Sequence, residues 1–465
     1  MSEPLRWTHA LLAGLGRGDD APRHALSIDG TDPILASALP VGEAAAAVLA
    51  AQAAAAADLW CARGGAAQQI AVDVHAAAAS LLSFAWLRLP GHHLLRDAPA
   101  TVALYRCADG WVHLHGGFPH LHRGTLDLLG CDDGAAAIAA AVASWPAQEL
   151  EDALAARRLC GARLRSAAAW NAHPQGLALA GVPLVELIRI GEGTPTGLPG
   201  PPAGARGARP LSGVRVLDLT RVLAGPTCAR TLAAHGADVL HVRAPQLPFI
   251  EPFVIDTNPG KRSCYLDLTR PAQRDQLDGL LAEADVFVQG YRPGALARRG
   301  YAPATLAARR PGLIVASLSC YGHDGPWAER PGWEQLAQTA TGMAHAHAGA
   351  ERPALVAAAV TDYITGHLAA LGVLLALARR AREGGAWHVR VSLARTAMWL
   401  QELPRASGTP RGIEAAALAP WWIEMDTAWG RLRRLGPIER MSATPPHWQL
   451  PPAPLGSDPA AWPPR

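Results

Sequence analysis

The sequence has little of several features that mark particular classes of protein. It carries a single lysine, Lys261, among 42 basic residues, and 39 acidic residues bring the net charge to +3. A charge so near zero argues against a nucleic-acid-binding protein and against a strongly acidic partner. The seven cysteines form no Cys-x-x-Cys pair. This argues against a disulfide framework and predicts reduced thiols in a cytoplasm.

Long apolar segments are also scarce. The first 20 residues have no apolar core of the signal-peptide type. The most apolar segment, 367–378, predicts a buried helix that is too short to span a bilayer. We therefore expect a cytoplasmic protein without a membrane partner.

A segment rich in glycine and proline divides the chain. Residues 191–210 read GEGTPTGLPGPPAGARGARP and predict a linker. A length of 465 residues is enough for two or three domains. We expect an α/β domain at 211–402, followed by a tail at 403–465 that packs back on the domains.

Residues 211–300 predict parallel β-α-β units. Apolar runs at 214–219, 237–242 and 284–289 alternate with helical patterns. The first run ends at Arg221, and the chain turns through Ala224-Gly225-Pro226, where small residues let backbone N–H groups approach a phosphate. The turn lacks the G-x-G-x-x-G spacing of dinucleotide-binding folds. The segment therefore predicts a site for a phosphorylated ligand other than NAD.

A degenerate internal repeat relates one segment in each half of the chain. Segments 44–82 and 366–400 both predict a helix, a Gly-Gly step, a short strand and a second helix. Counting back from the Gly-Gly steps places Asp362 opposite Gly42 or, with one gap, Glu43. We interpret residues 1–100 as an alanine-rich, degenerate partial repeat without the aspartate; chance similarity between alanine-rich helices is the alternative.

Six short motifs follow one another along the C-terminal half: RVLAGP at 221–226, GADVLHV at 236–242, GKRS at 260–263, GYRPGAL at 290–296, SLSCYGHDGPW at 317–327 and VTDYITG at 360–366. No single motif is specific, but the ordered set is. In this order the motifs resemble those of the class III CoA-transferases, the group of formyl-CoA transferase, carnitine CoA-transferase and α-methylacyl-CoA racemase. The resemblance covers about 211–401.

The resemblance implies an open, parallel, Rossmann-like α/β sheet. It also implies that residues 101–190, which predict a strand pair around Asp109-Gly110, form the smaller α+β domain of the family. Here that domain is N-terminal to the sheet, whereas in family members it usually follows the catalytic aspartate. This order leaves open whether the interlocked homodimer typical of the family forms.

Asp362 is the candidate nucleophile. It stands just before an apolar helix, and at an N-cap the free N–H groups and the helix dipole would favour its ionised form. The same position is also that of an ordinary helix cap. The resemblance implies that Asp362 is the catalytic aspartate, because VTDYITG lies where members carry it, and a carboxylate can hold an acyl group as a mixed anhydride.

Glu334 is the second candidate catalytic residue. It matches the acidic position of the transferases, where it would position or shield the anhydride; the alternative is an exposed glutamate in a first helical turn. Racemases of the family have a histidine before this position. This chain has Trp333, and an indole cannot exchange a proton.

The resemblance also implies the contacts with CoA. Arginine forks suit phosphate groups, although for any one of the basic residues taken alone a solvated surface charge is the favoured interpretation. Arg243 departs from the usual glutamate and would serve the 3′-phosphate or mark an altered site. The candidate CoA-binding residues are Arg221, Val222, Leu223, Ala224, Arg243, Gly260, Lys261, Arg262, Gly290, Tyr291, Arg292 and Arg298.

Histidines offer a weak metal pattern. His113 and His115 alternate on a predicted strand and so share one face. Nearby carboxylates at a fixed ligand spacing are missing, apart from Asp109 and Asp127. We expect no metal.

The sequence thus predicts transfer of CoA between an acyl-CoA thioester and a carboxylic acid through an acyl-aspartyl anhydride on Asp362. Coenzyme A enters as part of the substrate, and the carboxylic acid is the acceptor. The alternatives are an acyl-CoA racemase or isomerase, which Trp333 disfavours, and a degenerate CoA-binding scaffold.

Overall fold

A seven-stranded sheet forms the centre of the fold. The computed structural model describes residues 1–18, 21–94, 97–200 and 207–464. The helices are α1 Glu3–Gly14, α2 Val41–Ala62, α3 Val74–Ser80, α4 Pro119–Leu129, α5 Ala135–Ala143, α6 Ala147–Ala156, α7 Ala167–Asn171, α8 Pro174–Ala180, α9 Ala224–Ala234, α10 Glu251–Thr257, α11 Pro271–Ala282, α12 Pro303–Arg309, α13 Glu334–Ala340, α14 Met343–Ala348, α15 Val360–Glu383 and α16 Leu393–Glu402. The strands are β1 Ala25–Asp29, β2 Gln69–Asp73, β3 Val102–Arg106, β4 Trp111–His115, β5 Gly161–Arg163, β6 Glu186–Gly191, β7 Arg215–Leu219, β8 Asp238–Arg243, β9 Lys261–Tyr265, β10 Val286–Gln289, β11 Ile314–Ser319, β12 Ala386–Ser392, β13 Trp422–Thr427, β14 Gly430–Leu435 and β15 Arg440–Met441.

The central sheet has the order β6-β12-β11-β10-β7-β8-β9. All neighbours are parallel except β6, which pairs antiparallel with β12 at one edge. Every residue of β7 is buried, as expected where helices cover both faces of a parallel sheet. The three predicted strands are confirmed to within about two residues, and the α/β prediction with them.

The strand order reverses direction between β7 and β10. Counted from β7, the six parallel strands follow the doubly wound order 3-2-1-4-5-6. In such sheets ligands bind outside the carboxyl ends of the strands at this reversal. Residues 220–223 follow β7 and residues 290–292 follow β10, so the topology places two of the predicted CoA-binding loops there.

Small residues let α15 approach its neighbours closely. A Cβ at Gly366 would lie 2.5 Å from the carbonyl oxygen of Ala224 and 2.7 Å from Cβ of Thr227. On another side α15 packs against α2, whose alanines 44–47 and 53–57 are all buried. Glycine and alanine therefore bring the start of α15 close to the first turn of α9.

The N-terminal half repeats the last part of the central sheet. Strands β1 and β2 are parallel and joined through α2, with α3 following directly. Strands β11 and β12 are parallel and joined through α15, with α16 following directly. The same order of strand, helix, strand and helix therefore occurs in both halves.

Helices α2 and α15 are long and apolar enough to cross a membrane by length and composition, but both are mostly buried within the protein. The length predicted for the second helix is wrong, since α15 has 24 residues. Its burial against α2 and the central sheet is that of a core helix.

The small domain contains the antiparallel sheet β3-β4-β5 and helices α4–α8. Its apolar core includes Leu114, Ile138 and Leu150 and continues into Leu336 and Ala394 of the central domain. Its predicted end at residue 190 needs one correction, because β6 belongs to the central sheet. Of the predicted linker, residues 201–206 lie outside the described residues.

The C-terminal tail contacts both halves. Strands β13 and β14 form a hairpin, and β15 pairs antiparallel with β2 of the N-terminal half. Further along, the carboxylate of Asp458 accepts the backbone N–H of Ser263 at 2.9 Å. The tail therefore packs back on the other parts of the chain.

Candidate active site

A cavity of about 1010 Å³ opens between the small domain and the central domain. Asp362, Glu334 and Trp333 line it from the C-terminal half, with Val222 and Leu223 from the loop after β7. The other walls include residues 82, 84, 91–94, 97–99 and 102 and His115 of the N-terminal half, and residues 249–253. The structure therefore brings both predicted catalytic residues and two predicted CoA-binding residues to one cavity.

Asp362 lies inside α15 and does not cap it. The helix begins at Val360, Ala359 is its N-cap, and Asp362 is the third helical residue. The predicted N-cap position is therefore wrong. Asp362 is buried, exposing 9% of its surface, and its side chain faces the cavity.

Glu334, the first residue of α13, caps α15 from outside. Its carboxylate accepts the backbone N–H of Thr361 at 3.1 Å and that of Asp362 at 2.8 Å. It also accepts the hydroxyl of Thr361 and, at 2.7 Å, the side-chain amide of Gln338. The alternative of an exposed first-turn glutamate is excluded, because Glu334 is buried. Its charge satisfies N–H groups that a helix start leaves without partners.

Asp362 and Glu334 are close enough that a negative charge on one carboxyl group disfavours ionisation of the other. Burial and the neighbouring Glu334 raise the pKa of Asp362 well above its usual range. Burial also raises the pKa of Glu334, but the hydrogen bonds from Thr361, Gln338 and Asp362 oppose this. The donors therefore favour the charge on Glu334 and the proton on Asp362, which is opposite to the ionising effect expected of an N-cap.

The N-terminal repeat has a counterpart of this pair. Glu43 is the third residue of α2, as Asp362 is of α15, so the structure selects Glu43 and not Gly42 as the equivalent position. Asp32 accepts the backbone N–H of Glu43 at 2.8 Å, the same distance as that from Asp362 N to Glu334. Glu43 is not among the residues that line the large cavity.

Two arginines meet at the carboxyl ends of β7 and β8. Arg221 and Arg243 both donate to the carbonyl of Pro248, at 2.7 and 3.4 Å. The Nε atoms of both are buried without a hydrogen-bond partner. Burial and the Arg221 charge lower the pKa of Arg243 to about 10. These guanidinium groups line a narrow niche that shares Val222 and residues 249, 250 and 253 with the cavity, and unsatisfied buried N–H groups of this kind suit an anion.

Lys261 is placed differently from the prediction. Its ammonium is fully buried, 2.8 Å from the carboxylate of Asp218 and 2.9 Å from the carbonyl of Pro226. Because the ammonium group already forms an ion pair inside the protein, this position argues against a contact with a phosphate of CoA. Arg262 pairs with Asp238 at 3.2 Å, and Gly260 packs against Trp448 and Ala233; neither lines the cavity.

The loop after β10 is only partly placed at the site. Gly290 lies near Thr220, and Tyr291 is partly buried near Arg221 and Arg243. Arg292 is exposed near Cys160, and Arg298 is exposed beside Glu329. Ala224 is the first residue of α9. Both arginines of this loop thus lie in contact with solvent.

Sequence reasoning missed the contribution of the N-terminal half to the cavity. His115 was considered only as a metal ligand, yet it lines the cavity and stacks on Trp333, with ring centroids 5.0 Å apart. The repeat suggested scaffolding for residues 1–100, and no pattern in 82–102 indicates a cavity wall. Among the described residues no group of three or more His, Cys, Asp and Glu side chains is arranged to hold a metal.

Comparison with known proteins identifies the family. The sequence model of CoA-transferase family III matches residues 25–187 and 211–412. The chain belongs to CoA-transferase family III. The family is one of enzymes acting on CoA thioesters, so the scaffold alternative is set aside, and the two matched segments leave out the predicted linker.

The chain is also similar to individual proteins. The chain is 30% identical over 415 residues to an acyl-CoA transferase of Gibberella moniliformis, covering 76% of this chain and 72% of that protein. It is 34% identical over 199 residues to a formyl-CoA:oxalate CoA-transferase of Afipia carboxidovorans, covering 40% and 47%. The crystal structure of Rv3272 from Mycobacterium tuberculosis matches with 34% identity and a TM-score of 0.40, covering 42% of this chain and 59% of that one. The chain spans less than two thirds of the length of the last two proteins.

Proposed function

We propose that the enzyme transfers CoA from an acyl-CoA to a carboxylic acid through an anhydride on Asp362. The observation that carries this proposal is the position of Asp362 and Glu334 in one large cavity beside the carboxyl edge of the sheet. A carboxyl group that is buried, open to a cavity and paired with a second one is a candidate for catalysis.

The chemistry needs Asp362 ionised and within reach of the thioester. Its carboxylate oxygen attacks the thioester carbonyl, a C–O bond forms, the C–S bond breaks and CoA leaves as the thiolate. The acceptor carboxylate then takes the acyl group from Asp362, which returns to a free carboxylate. Attack of the thiolate on the carbonyl derived from the acceptor forms the new thioester and releases the donor acid.

Glu334 has a positioning part in this scheme. By accepting the N–H groups of Thr361 and Asp362, it holds the first turn of α15. Arg221 and Arg243 would hold phosphate groups of CoA at the reversal of strand order, where their unpartnered Nε atoms support an anion site.

The proposal is tested by trapping the anhydride. Hydroxylamine added during turnover should leave a hydroxamate on the peptide that contains Asp362, identified by mass spectrometry. Asp362→Asn should show no label and should lose activity by several orders of magnitude. Label on another residue, or wild-type activity of the Asn variant, would refute the proposal.

The racemase alternative has its own readout. Exchange of the α-proton of a 2-methylacyl-CoA in deuterated water requires an acid and a base on opposite faces. Trp333 cannot take either part, because an indole does not exchange a proton; its N–H donates to the sulfur of Cys160, 3.2 Å away. We expect no exchange above background; exchange without acyl transfer would select the racemase.

The cellular compartment and the oligomeric state of the enzyme are also proposed. We propose a cytoplasmic enzyme, which the seven free cysteines support. A homodimer is also proposed, although both halves of one chain already line the cavity. Light scattering on the purified protein measures its oligomeric state.

A further inference from the structure

His115 is a polar group in the cavity that the proposed reaction does not use. It is the last residue of β4, at the point where the small domain meets the cavity, and Gly116-Gly117 follow it. A Cβ at Gly117 would lie 2.9 Å from the imidazole Cε1, so glycine leaves room for the ring. His115 exposes 9% of its surface, and its Nδ1 has no hydrogen-bond partner among the described residues.

The ring is held in place by its neighbours. It stacks on Trp333 with an interplanar angle of 16°. Trp333 is itself fixed, because its indole N–H donates to Cys160 and its ring meets Phe118 edge-on at 5.3 Å between centroids. Since Trp333 directly precedes Glu334, the imidazole is linked through one rigid segment to the carboxylate pair.

The surroundings keep the imidazole neutral. Burial lowers the pKa of His115 to about 4, although its own backbone and the Gln335 side chain oppose this. A neutral imidazole both donates and accepts hydrogen bonds, but it does not compensate a full negative charge. It therefore suits an uncharged oxygen better than a second carboxylate.

Building on the proposed function, we propose that His115 is a specificity-determining residue that hydrogen-bonds a neutral oxygen, a hydroxyl or keto group, on the acyl chain of the substrate. The unpartnered Nδ1, the fixed ring and the shared cavity with Asp362 support this assignment. The apolar side chains of Leu82, Phe84 and Phe253 line other parts of the same cavity and suit the hydrocarbon part of such a chain.

The test compares thioesters that differ by one oxygen. Butyryl-CoA is measured against 2-, 3- and 4-hydroxybutyryl-CoA as donor, with one fixed acceptor acid. The wild-type enzyme should prefer one hydroxylated donor by about tenfold in kcat/KM, as expected for one hydrogen bond. His115→Phe, which keeps an aromatic ring on Trp333, should abolish this preference, and His115→Asn should restore part of it.

His113→Phe is the matched control. His113 lies on the same face of β4 and is buried with an unpartnered Nδ1, but it does not line the cavity. It should keep the wild-type preference. Loss of the preference in both variants would point to a general disturbance of β4 and overturn the proposal.

Other outcomes separate this inference from the proposed function. If His115→Phe weakens the binding of free CoA as much as the binding of the acyl-CoA thioesters, the ring contacts CoA itself and the inference is overturned. If no thioester is turned over by the wild type, the proposed transfer fails, and equilibrium binding of the same four thioesters then decides the specificity. If the wild-type enzyme does not distinguish the four thioesters, the inference about His115 is refuted.

Discussion

The carboxylate of Glu334 accepts the backbone N–H of Asp362 at 2.8 Å, so one member of the carboxyl pair caps the helix that carries the other. This arrangement places two acidic groups in a buried site while giving hydrogen-bond donors to only one of them. It accounts for a raised pKa at Asp362. Ionising the nucleophile therefore costs more free energy in the empty site than it does in water.

The first prediction concerns pH. Because the folded-state pKa of Asp362 is raised, its ionisation costs stability as pH rises through that value. Asp362→Asn removes the ionisable group, so the variant should melt at or above the wild-type temperature at pH 8. The difference should shrink as pH falls, because the wild-type group is then protonated. Thermal melts from pH 5 to 8 measure this; a variant that is less stable at pH 8 than at pH 5, relative to wild type, would contradict it.

Activity should have the opposite pH dependence. The nucleophile must be ionised, so kcat/KM should rise with pH through the raised pKa of Asp362. Glu334→Gln keeps an oxygen for the N–H groups of α15 but removes the neighbouring charge. We expect its acid limb to shift to lower pH by about one unit. An unshifted limb would show that Glu334 does not control the ionisation of Asp362.

The sequence predicted the sheet well because burial of a parallel sheet leaves a local mark. The apolar runs at 214–219 and 237–242 needed no knowledge of distant contacts, and they match β7 and β8 closely. The exact start of α15 was less predictable. It depends on Glu334, which caps the helix from 28 residues away in sequence.

Whether a charged side chain forms an ion pair in the core or is available to a ligand depends on distant residues that cannot be identified from the sequence. Lys261 was assigned to phosphate binding, yet Asp218, 43 residues away, pairs with it in the core. Conversely, Arg221 and Arg243 form no ion pair with a carboxylate in the part of the chain that the structure describes, although their sequence surroundings are no more distinctive. The wall formed by His115 could not be predicted, because it depends on how the small domain docks on the central one.

The third prediction concerns the N-terminal counterpart of the pair. Glu43 occupies the helical position of Asp362, but it does not line the large cavity. Glu43→Ala should therefore leave transfer activity within a few-fold of wild type, whereas Asp362→Ala should lose several orders of magnitude. Steady-state rates of both variants, checked for folding by circular dichroism, measure this. A comparable loss in Glu43→Ala would show that the N-terminal copy is the one that works.

The last prediction concerns the arginine niche. Arg243 is buried beside Arg221 with an unpartnered Nε, so replacing it with methionine removes a like-charge contact and keeps most of the apolar stem. If the niche binds the 3′-phosphate, Arg243→Met should weaken CoA binding by about tenfold or more, as expected for a charge-assisted hydrogen bond. Binding of dephospho-CoA should change less than about twofold on the same grounds, because that ligand lacks the phosphate.

Arg262→Met is the control for this experiment, because Arg262 pairs with Asp238 outside the cavity. Calorimetry with both ligands on both variants separates the possible results. Equal weakening of CoA and dephospho-CoA by Arg243→Met would move its contact to the pyrophosphate. No change with either ligand in Arg243→Met would show that Arg243 does not contact CoA. A large loss of CoA binding in Arg262→Met would instead place CoA beside Arg262 on β9.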